Sequence, residues 1–224
     1  MNIDASKLRK LVTVFLEENK KLNLSAFRSE EHCWVGNVLD SIALFGAFDE
    51  VKGLVPPRTL IDIGTGGGFP LLPLAICSPD MACIGIDSTQ KKIDAVQRIV
   101  DAMHLTNVRL SCGRIEELAH QKEYRESADL VTARAVAPMP VLLEYAVPLL
   151  KVGGFCAFWK SSKIADELQS SATAQKLLGI SFAGTYAYEL PSDFGARLII
   201  FFRKNKPTGK EYPRKTGVPK GKPL

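Results

Sequence analysis

The chain reads as an α/β protein: a seven-stranded, mostly parallel sheet with its last strand antiparallel, preceded by a helical N-terminal cap. Three observations predict this. The run Leu60-Ile61-Asp62-Ile63 is an apolar strand that enters a dense glycine turn, Gly64-Thr65-Gly66-Gly67-Gly68, ahead of a helical pattern, which is how a parallel βαβ unit begins. Strand and helix patterns then alternate as far as residue 178. The last two strand patterns are separated only by Pro191-Ser192-Asp193-Phe194-Gly195, too short for a crossover and therefore a hairpin that brings one antiparallel strand into the sheet.

In chain order, residues 4–21 place Leu8, Leu11, Val12, Phe15 and Leu16 on one helical face, and residues 30–47 do the same with Trp34, Val35, Val38, Leu39, Ile42 and Phe45. Together they make a cap over residues 1–50. Strands are expected at 59–63, 82–87, 107–111, 128–133, 154–159, 181–188 and 197–203, with helices after the first five at 69–77, 89–103, 114–119, 138–150 and 162–178. In the second of these helices Ile93, Val96, Ile99, Val100 and Met103 recur at helical spacing, behind Ser88 as the N-cap. A core over 58–203 joins the cap in a single domain, 1–203, followed by a tail, 204–224. With 224 residues and 46% hydrophobic content the chain suffices for one such core, and two separate domains are not expected.

Composition narrows the classes. No apolar run approaches the roughly 20 residues of a membrane span. Asp4, Lys7, Arg9 and Lys10 stand where a secretory leader would be apolar, so the expectation is a cytoplasmic protein without a membrane partner. The cysteines, Cys33, Cys77, Cys83, Cys112 and Cys156, form no C-x-x-C pair, and only Cys33 has a histidine beside it, His32. They fall mostly in expected core segments and read as reduced, buried thiols with no metal site. The net charge of +5 is unevenly placed: from Arg203 to Leu224 eight Lys or Arg residues face the single acid Glu211, which leaves a near-neutral body. That tail, with four prolines and three glycines, cannot bury a core of its own and is expected to be extended and mobile when free. It suits a polyphosphate partner through counterion release; the competing reading is a solubilising terminus without a partner.

The glycine turn is where a nucleotide-like cofactor is expected. Glycine accepts positive φ and lets a ligand approach the main chain, and the helix beyond it offers free N–H groups. A dinucleotide fingerprint requires G-x-G-x-x-G, and Phe69 stands at its last glycine, which argues against a NAD-dependent dehydrogenase. Written D-x-G-x-G-x-G, from Asp62 through Gly64, Gly66 and Gly68, the run resembles instead the S-adenosylmethionine (SAM) loop of Rossmann-like class I methyltransferases. SAM carries no pyrophosphate, so Asp62 can face its cationic amino-acid end. The next strand, Ala82-Cys83-Ile84-Gly85-Ile86-Asp87, ends in an acid 19 positions after Gly68, placed to accept both ribose hydroxyls of an adenosine. The competing readings are a ligand-free tight turn for the glycines and a helix-capping acid for Asp87.

Ligands of open parallel sheets sit beyond the carboxyl ends of the strands, and three more segments lie there. Gly113-Arg114-Ile115-Glu116-Glu117 offers an apolar side chain and an acid to grip an adenine ring, or else a surface helix start whose acids suit its dipole. Arg134 is a charge at the end of a buried strand and needs a carboxylate, a phosphate or a ligand. Lys160, in Trp159-Lys160-Ser161, is a contact for nucleic acid or substrate, or a solvated lysine.

As a whole the chain resembles the bacterial 16S ribosomal RNA guanine-N7 methyltransferases known as RsmG or GidB. The resemblance is nearly full length. It rests on Asn23-Leu24-Ser25-Ala26-Phe27-Arg28, Trp34-Val35, Leu39-Asp40-Ser41, the glycine loop with Pro70, Asp87-Ser88 with Lys91-Lys92, Arg114-Ile115-Glu116-Glu117, Arg134-Ala135, Leu149-Leu150-Lys151 with Gly153-Gly154, and Lys160. The ending Tyr212-Pro213-Arg214-Lys215-Thr216-Gly217-Val218-Pro219 with Lys222-Pro223-Leu224 is similar almost residue for residue. Three positions depart from the family pattern: Gly36-Asn37 replaces an Arg-His, Leu71 a glycine, and Ala196-Arg197 a second Arg-His.

The resemblance implies SAM contacts at Gly64, Phe69, Asp87, Ser88, Thr89, Ile115, Glu116 and Arg134, and a guanosine of 16S rRNA, free or in the 30S subunit, as acceptor. Arg28, Asn37, Lys160, Arg197, Arg214 and Lys215 make up the expected nucleic-acid-binding set, and a monomer is the default state. Guanine N7 bears a lone pair and no proton, so methyl transfer to it needs no general base, and no acid–base catalytic residue is expected. Such a site supplies approach, dryness and orientation, for which Arg134 and Lys160 are the positioning candidates. Two other functions share part of the pattern. A methyltransferase for a small molecule or protein has no need of the basic tail; a non-catalytic rRNA-binding protein has no need of Asp62, Gly64, Gly66, Gly68 and Asp87.

Overall fold

The seven strands are β1 (Thr59–Ile63), β2 (Ala82–Asp87), β3 (Val108–Cys112), β4 (Ala128–Arg134), β5 (Leu150–Lys160), β6 (Ile180–Leu190) and β7 (Gly195–Lys204). In this computed structural model, which describes residues 3–160 and 165–224, they form one sheet in the order β3-β2-β1-β4-β5-β7-β6. Pairing is parallel from β3 through β5, and β7 lies antiparallel between β5 and β6. Leu60, Ile61 and Ile63 of β1 are buried on both faces of the sheet, as the unbroken apolar reading of a central parallel strand requires. The order reverses between β1 and β4, which makes their carboxyl ends the switch point.

Helix α1 (Ala5–Leu22) begins at Asp4, whose carboxylate accepts from Lys7 N at 3.0 Å. The segment expected as one helix over 30–47 is instead a chain of short turns: α2 (Glu30–Cys33), a π-helical turn (Trp34–Leu39), α3 (Asp40–Ile42), a 3-10 turn (Ala43–Gly46) and α4 (Ala47–Glu50). The cause lies in its carbonyls. Gly36 O accepts from Arg134 at 3.0 Å and Asn37 O from Ser41 Oγ at 2.5 Å, and groups satisfied from outside the ladder let it widen.

The remaining helices are α5 (Leu71–Cys77), α6 (Gln90–Ala102), α7 (Ile115–Leu118), α8 (Met139–Ala146), α9 (Ala165–Ser170), α10 (Ala172–Leu178) and α11 (Val218–Gly221). Thr89 rather than Ser88 is the N-cap of α6, and the capping carboxylate is that of Asp87, which accepts from Thr89 N at 2.9 Å. The helix expected over 138–150 ends at Ala146; a 3-10 turn through Pro148 leads into β5, which begins at Leu150. The helix expected over 162–178 is two, α9 and α10, with residues 161–164 outside the described residues. No helix among the described residues is long and apolar enough to cross a membrane.

One apolar cluster packs α8 and α10 on the sheet through Val131, Leu142, Leu143, Phe158, Leu178 and Phe202. A second covers the opposite face with Leu60, Leu71, Leu74, Leu130 and Phe201. A third joins the cap to α5 and α6 through Leu8, Leu11, Phe15, Phe69, Leu72 and Ile99. Arg98 of α6 holds α1 by donating twice to Glu18, at 3.0 and 2.7 Å. The departure at Leu71 has a local counterpart: a Cβ on Gly85 of β2 would stand 2.6 Å from the Leu71 side chain, so the leucine fills the space that glycine leaves.

The tail, expected to be extended and mobile, is folded onto the body. Arg125 donates to the carbonyls of Thr208, Gly209 and Tyr212, each at 2.9 Å. Arg214 donates to both oxygens of Glu144, at 2.8 and 2.6 Å. Lys204 is fully buried and donates to Glu126 and to the carbonyls of Val147 and Leu150. The tail has no core of its own; Tyr212 and Leu224 pack against the first apolar cluster and the body supplies polar partners, which composition of the tail alone does not reveal.

Candidate functional site

Beyond β1 the chain turns through Gly64 and Gly68, whose φ values of +66° and +89° lie in the left-handed region. Both positions are also closed to a side chain: a Cβ on Gly64 would stand 2.7 Å from Val136, and one on Gly68 2.6 Å from Leu72. Asp87, at the end of β2, locks this turn to its own. One carboxylate oxygen accepts from Gly66 N at 3.1 Å and the other from Thr89 N at 2.9 Å.

A cleft of roughly 290 Å³ opens at these strand ends, at the lower edge of the range of small-molecule sites. Six expected cofactor residues line it: Gly64, Asp87, Ser88, Thr89, Ile115 and Glu116. Val136 and Tyr145 line it too and carry no sequence signal, and Lys92, which entered only through the resemblance, joins them. Tyr145 arrives from α8, with its hydroxyl 3.3 Å from Glu116. Glu116 also accepts from Gly217 N at 3.0 Å, and Glu117 from Thr216 Oγ1 at 3.0 Å, so the tail is fastened to the cleft's wall at Glu116.

Asp62 of β1 and Gly66 and Gly68 of the turn are not among the residues that line the cleft. Asp62 accepts from Thr132 Oγ1 at 2.7 Å through Oδ1. Its Oδ2, together with Thr65 Oγ1, makes up the buried side-chain polar atoms without a partner among the described residues. Burial pushes the Asp62 carboxyl up to about 7, and the nearby Thr132 and Thr65 hydroxyls and the Arg134 charge oppose this only in part.

Phe69, expected at the cofactor, points elsewhere. Its ring is buried edge-on to Phe15 at 4.9 Å, in the apolar layer under the cap. Arg134, also expected there, lines a second cleft of roughly 470 Å³ that meets the first at Ala135. Ala135 has φ 55°, a left-handed conformation uncommon for a residue with a Cβ and a mark of locally stored strain. The side chains of Phe27, Asn37, Arg134, Trp159, Lys160 and Arg197 line this second cleft.

Of the partners open to Arg134, the carboxylate is the one it takes: Arg134 donates to Asp40 Oδ2 at 2.9 Å, to Asn37 Oδ1 at 2.7 Å and to Gly36 O. Tyr188 donates to the other Asp40 oxygen at 2.5 Å, and Trp159 Nε1 to the Asp40 carbonyl at 2.8 Å. Lys160 donates to Glu167 at 2.5 Å and to Ala137 O at 3.2 Å. Arg197 is half-buried and makes no ion pair among the described residues.

The other basic candidates lie outside the cleft. Arg28 donates to Asn19 O at 3.2 Å and to Asn23 Oδ1 at 2.6 Å, holding its own loop. Arg214, expected at nucleic acid, is taken up by the fully buried Glu144, while Lys215 is exposed on the tail beyond Glu117. Ser161 lies outside the described residues.

Comparison with known proteins places these features in a group. The model of the family described as rRNA small subunit methyltransferase G matches residues 4–185. Proteins named ribosomal RNA small subunit methyltransferase G are similar over most of the chain. The one from Exiguobacterium sibiricum is 38% identical over 97% of this chain and 90% of its own length. The one from Gloeobacter violaceus is 37% identical over 99% and 87%, and that from Geobacillus kaustophilus 39% over 94% and 87%. Among solved structures, a SAM-dependent methyltransferase from Aquifex aeolicus superposes with a TM-score of 0.54 at 16% identity, covering 84% of this chain and 97% of that one. An O-methyltransferase family protein from Burkholderia thailandensis gives 0.53 at 16% identity, over 74% and 56%. These two likenesses bear on the fold: a seven-stranded sheet of the class I methyltransferase kind.

Proposed function

Since the chain belongs to the rRNA small subunit methyltransferase G family, we propose that it transfers a methyl group from SAM to N7 of a guanosine in 16S rRNA, acting in the cytoplasm as a monomer on the rRNA or on the 30S subunit. The observation that carries this reading is the meeting of two unlike clefts at Ala135. One is walled by strand ends and the carboxylates Asp87 and Glu116, a setting for a cationic nucleoside. The other is walled by aromatic rings and the cations Arg134, Lys160 and Arg197, a setting for a nucleotide.

The residues present fit SAM. The unpartnered Oδ2 of Asp62 and Thr65 Oγ1 both lie where β1 gives way to the glycine turn, and an ammonium group there would satisfy a carboxylate that burial otherwise holds near neutrality. In this reading Asp62 takes the amino-acid end, Asp87 the ribose, and Ile115 with Glu116 the adenine. When bound, SAM supplies a methyl carbon activated by the sulfonium. The chain's own work is positional. Arg134 ties Asn37 and Asp40 of the cap to the end of β4 and so fixes the walls on either side of Ala135. Lys160 and Arg197 offer charge to phosphates. No side chain has to remove a proton, because N7 carries none.

The test is methyl transfer from labelled SAM to 30S subunits and to deproteinised 16S rRNA, with mapping of the modified nucleotide. A single N7-methylguanosine is the expected product. No label in either RNA, with SAM binding shown separately, would leave a SAM-binding protein with another acceptor.

A further inference from the structure

The second cleft contains a ring whose setting is more elaborate than packing requires, that of Phe27. Phe27 lies on the loop after α1, and buried Asn19 clamps that loop from three sides. Asn19 Nδ2 donates to Phe27 O at 2.8 Å and to Ser25 O at 3.2 Å, and Asn19 Oδ1 accepts from Ser25 N at 2.8 Å. Arg28 closes the loop from the other end. Behind Phe27, Phe194 from the β6–β7 hairpin packs at 5.4 Å between ring centroids, and His32 backs Phe194 at 5.8 Å. Gly36 makes the arrangement possible. A Cβ at that position would collide with the rings of both Phe27 and Phe194, so a residue with a side chain there would push the two rings apart. The same glycine offers its carbonyl to Arg134.

We infer that Phe27 is the stacking face for the acceptor base, held by Asn19 and backed by Phe194, with Gly36 as the gap that seats it. This rests on the RNA methyl-transfer reading and adds to it the residue that recognises the base. A base removed from its helix loses its stacking partners, and an aromatic side chain is the usual replacement. The remaining walls suit the rest of a nucleotide: Arg197 lines the same cleft and has no ion pair among the described residues. Trp159 is less suited to the role, being buried with its indole N–H committed to Asp40.

The experiment compares the wild type with Phe27→Leu, which keeps apolar bulk against Phe194, and Phe27→Tyr, which keeps the aromatic face. Initial rates of methyl transfer to 16S rRNA are measured alongside SAM affinity by calorimetry. Leucine should lower kcat/KM for RNA about ten-fold or more, in line with the loss of one base–aromatic stack, with SAM affinity unchanged; tyrosine should restore most of it. Leucine acting like wild type, or weakening SAM affinity as much as RNA turnover, overturns the inference. Should the wild type methylate no RNA, the functional reading falls, and the same three proteins are then titrated with guanosine monophosphate. Binding by wild type and tyrosine but not leucine upholds the stacking face; equal binding by all three, or by none, overturns it.

Discussion

The cleft at Asp87 and the cleft at Arg134 share one residue, Ala135, and are built on opposite plans. The first is main chain and strand ends: positive-φ glycines, amides at Gly66 and Thr89, one carboxylate holding two turns together. The second is assembled from side chains of the loop after α1, the π-helical turn, and the ends of β4, β5 and β7, with Arg134 bridging cap and sheet. A wall of backbone admits almost no substitution at its glycines, whereas a wall of side chains depends on a few polar clamps. The two should therefore fail in different ways.

The sharpest break is at the glycine turn. Gly64→Val forces a β-branched residue to φ +66° against Val136, at a cost of about 3 kcal/mol or more, so SAM affinity should fall about a hundred-fold or more in calorimetry. Near-normal binding would show that the first cleft is not a backbone device.

Arg134→Ala comes next. It leaves Asp40, with a side chain only 8% exposed, without its cation, and breaking such a pair typically costs about 3 kcal/mol. Thermal unfolding should shift down and RNA methylation collapse, while SAM affinity falls less. Arg134→Lys should recover only part, because an ammonium lacks the fork that serves Asp40, Asn37 and Gly36 together. Loss of SAM binding equal to the loss of turnover would merge the two clefts into one site.

Arg214→Ala tests the tail's place at the first cleft. Glu144 is fully buried and loses a bidentate partner, so a loss of about 2 kcal/mol is expected. Limited proteolysis should then cut at Lys210 or Lys215, and SAM affinity should weaken through the Gly217–Glu116 contact. A tail that stays protected would mean the Arg125 clamp suffices.

Smaller effects follow from charge. Asp62 is raised by burial to about 7, whereas an unfolded aspartate titrates near about 4. Between those values the native state holds a proton that the unfolded state has released. The group's contribution to stability is therefore full below about pH 4 and is lost as pH rises through 7. A cationic ligand group favours the ionised form, so SAM affinity should rise up to about ten-fold from about pH 6 to about pH 8. Asp62→Asn should abolish that rise, and a flat wild-type profile would place the cationic group elsewhere. Arg197→Ala should make the least difference, lowering the salt slope of RNA binding by about 1 if it neutralises one phosphate; an unchanged slope would remove it from the RNA contacts.

The same contrast explains what could be read in advance. The parallel sheet, the hairpin and the first cleft come from contiguous segments, and residues such as Gly64, Asp87 and Ile115 announce themselves by spacing. Tyr145 reaches that cleft from α8, where it reads as an ordinary helical residue. Arg134 was legible as a charge in need of a partner, but not its choice of Asp40, 94 residues earlier. Arg214 and Lys204 counted toward a free basic tail, though the buried Glu144 and the carbonyls of Val147 and Leu150 claim them. A charge count fixes a total without saying which cations face water. The break in the helix over 30–47 was hidden for a related reason, since the donors that open it lie far along the chain as well as within it.

The strand order also bears on how the protein is made. β7 enters the sheet between two strands that are already synthesised, β5 and β6, so translation completes the outer strand before the inner one. In a nascent chain that has reached residue 190 the β5 edge and the facing β6 edge lack the strand they share, and such edges recruit other chains. Ten residues, Gly195–Lys204, close both at once, and Lys204 then fastens the seam beneath the surface. A stop codon just before β7 would therefore leave β1, the glycine turn and β2 in the chain and still yield an insoluble product.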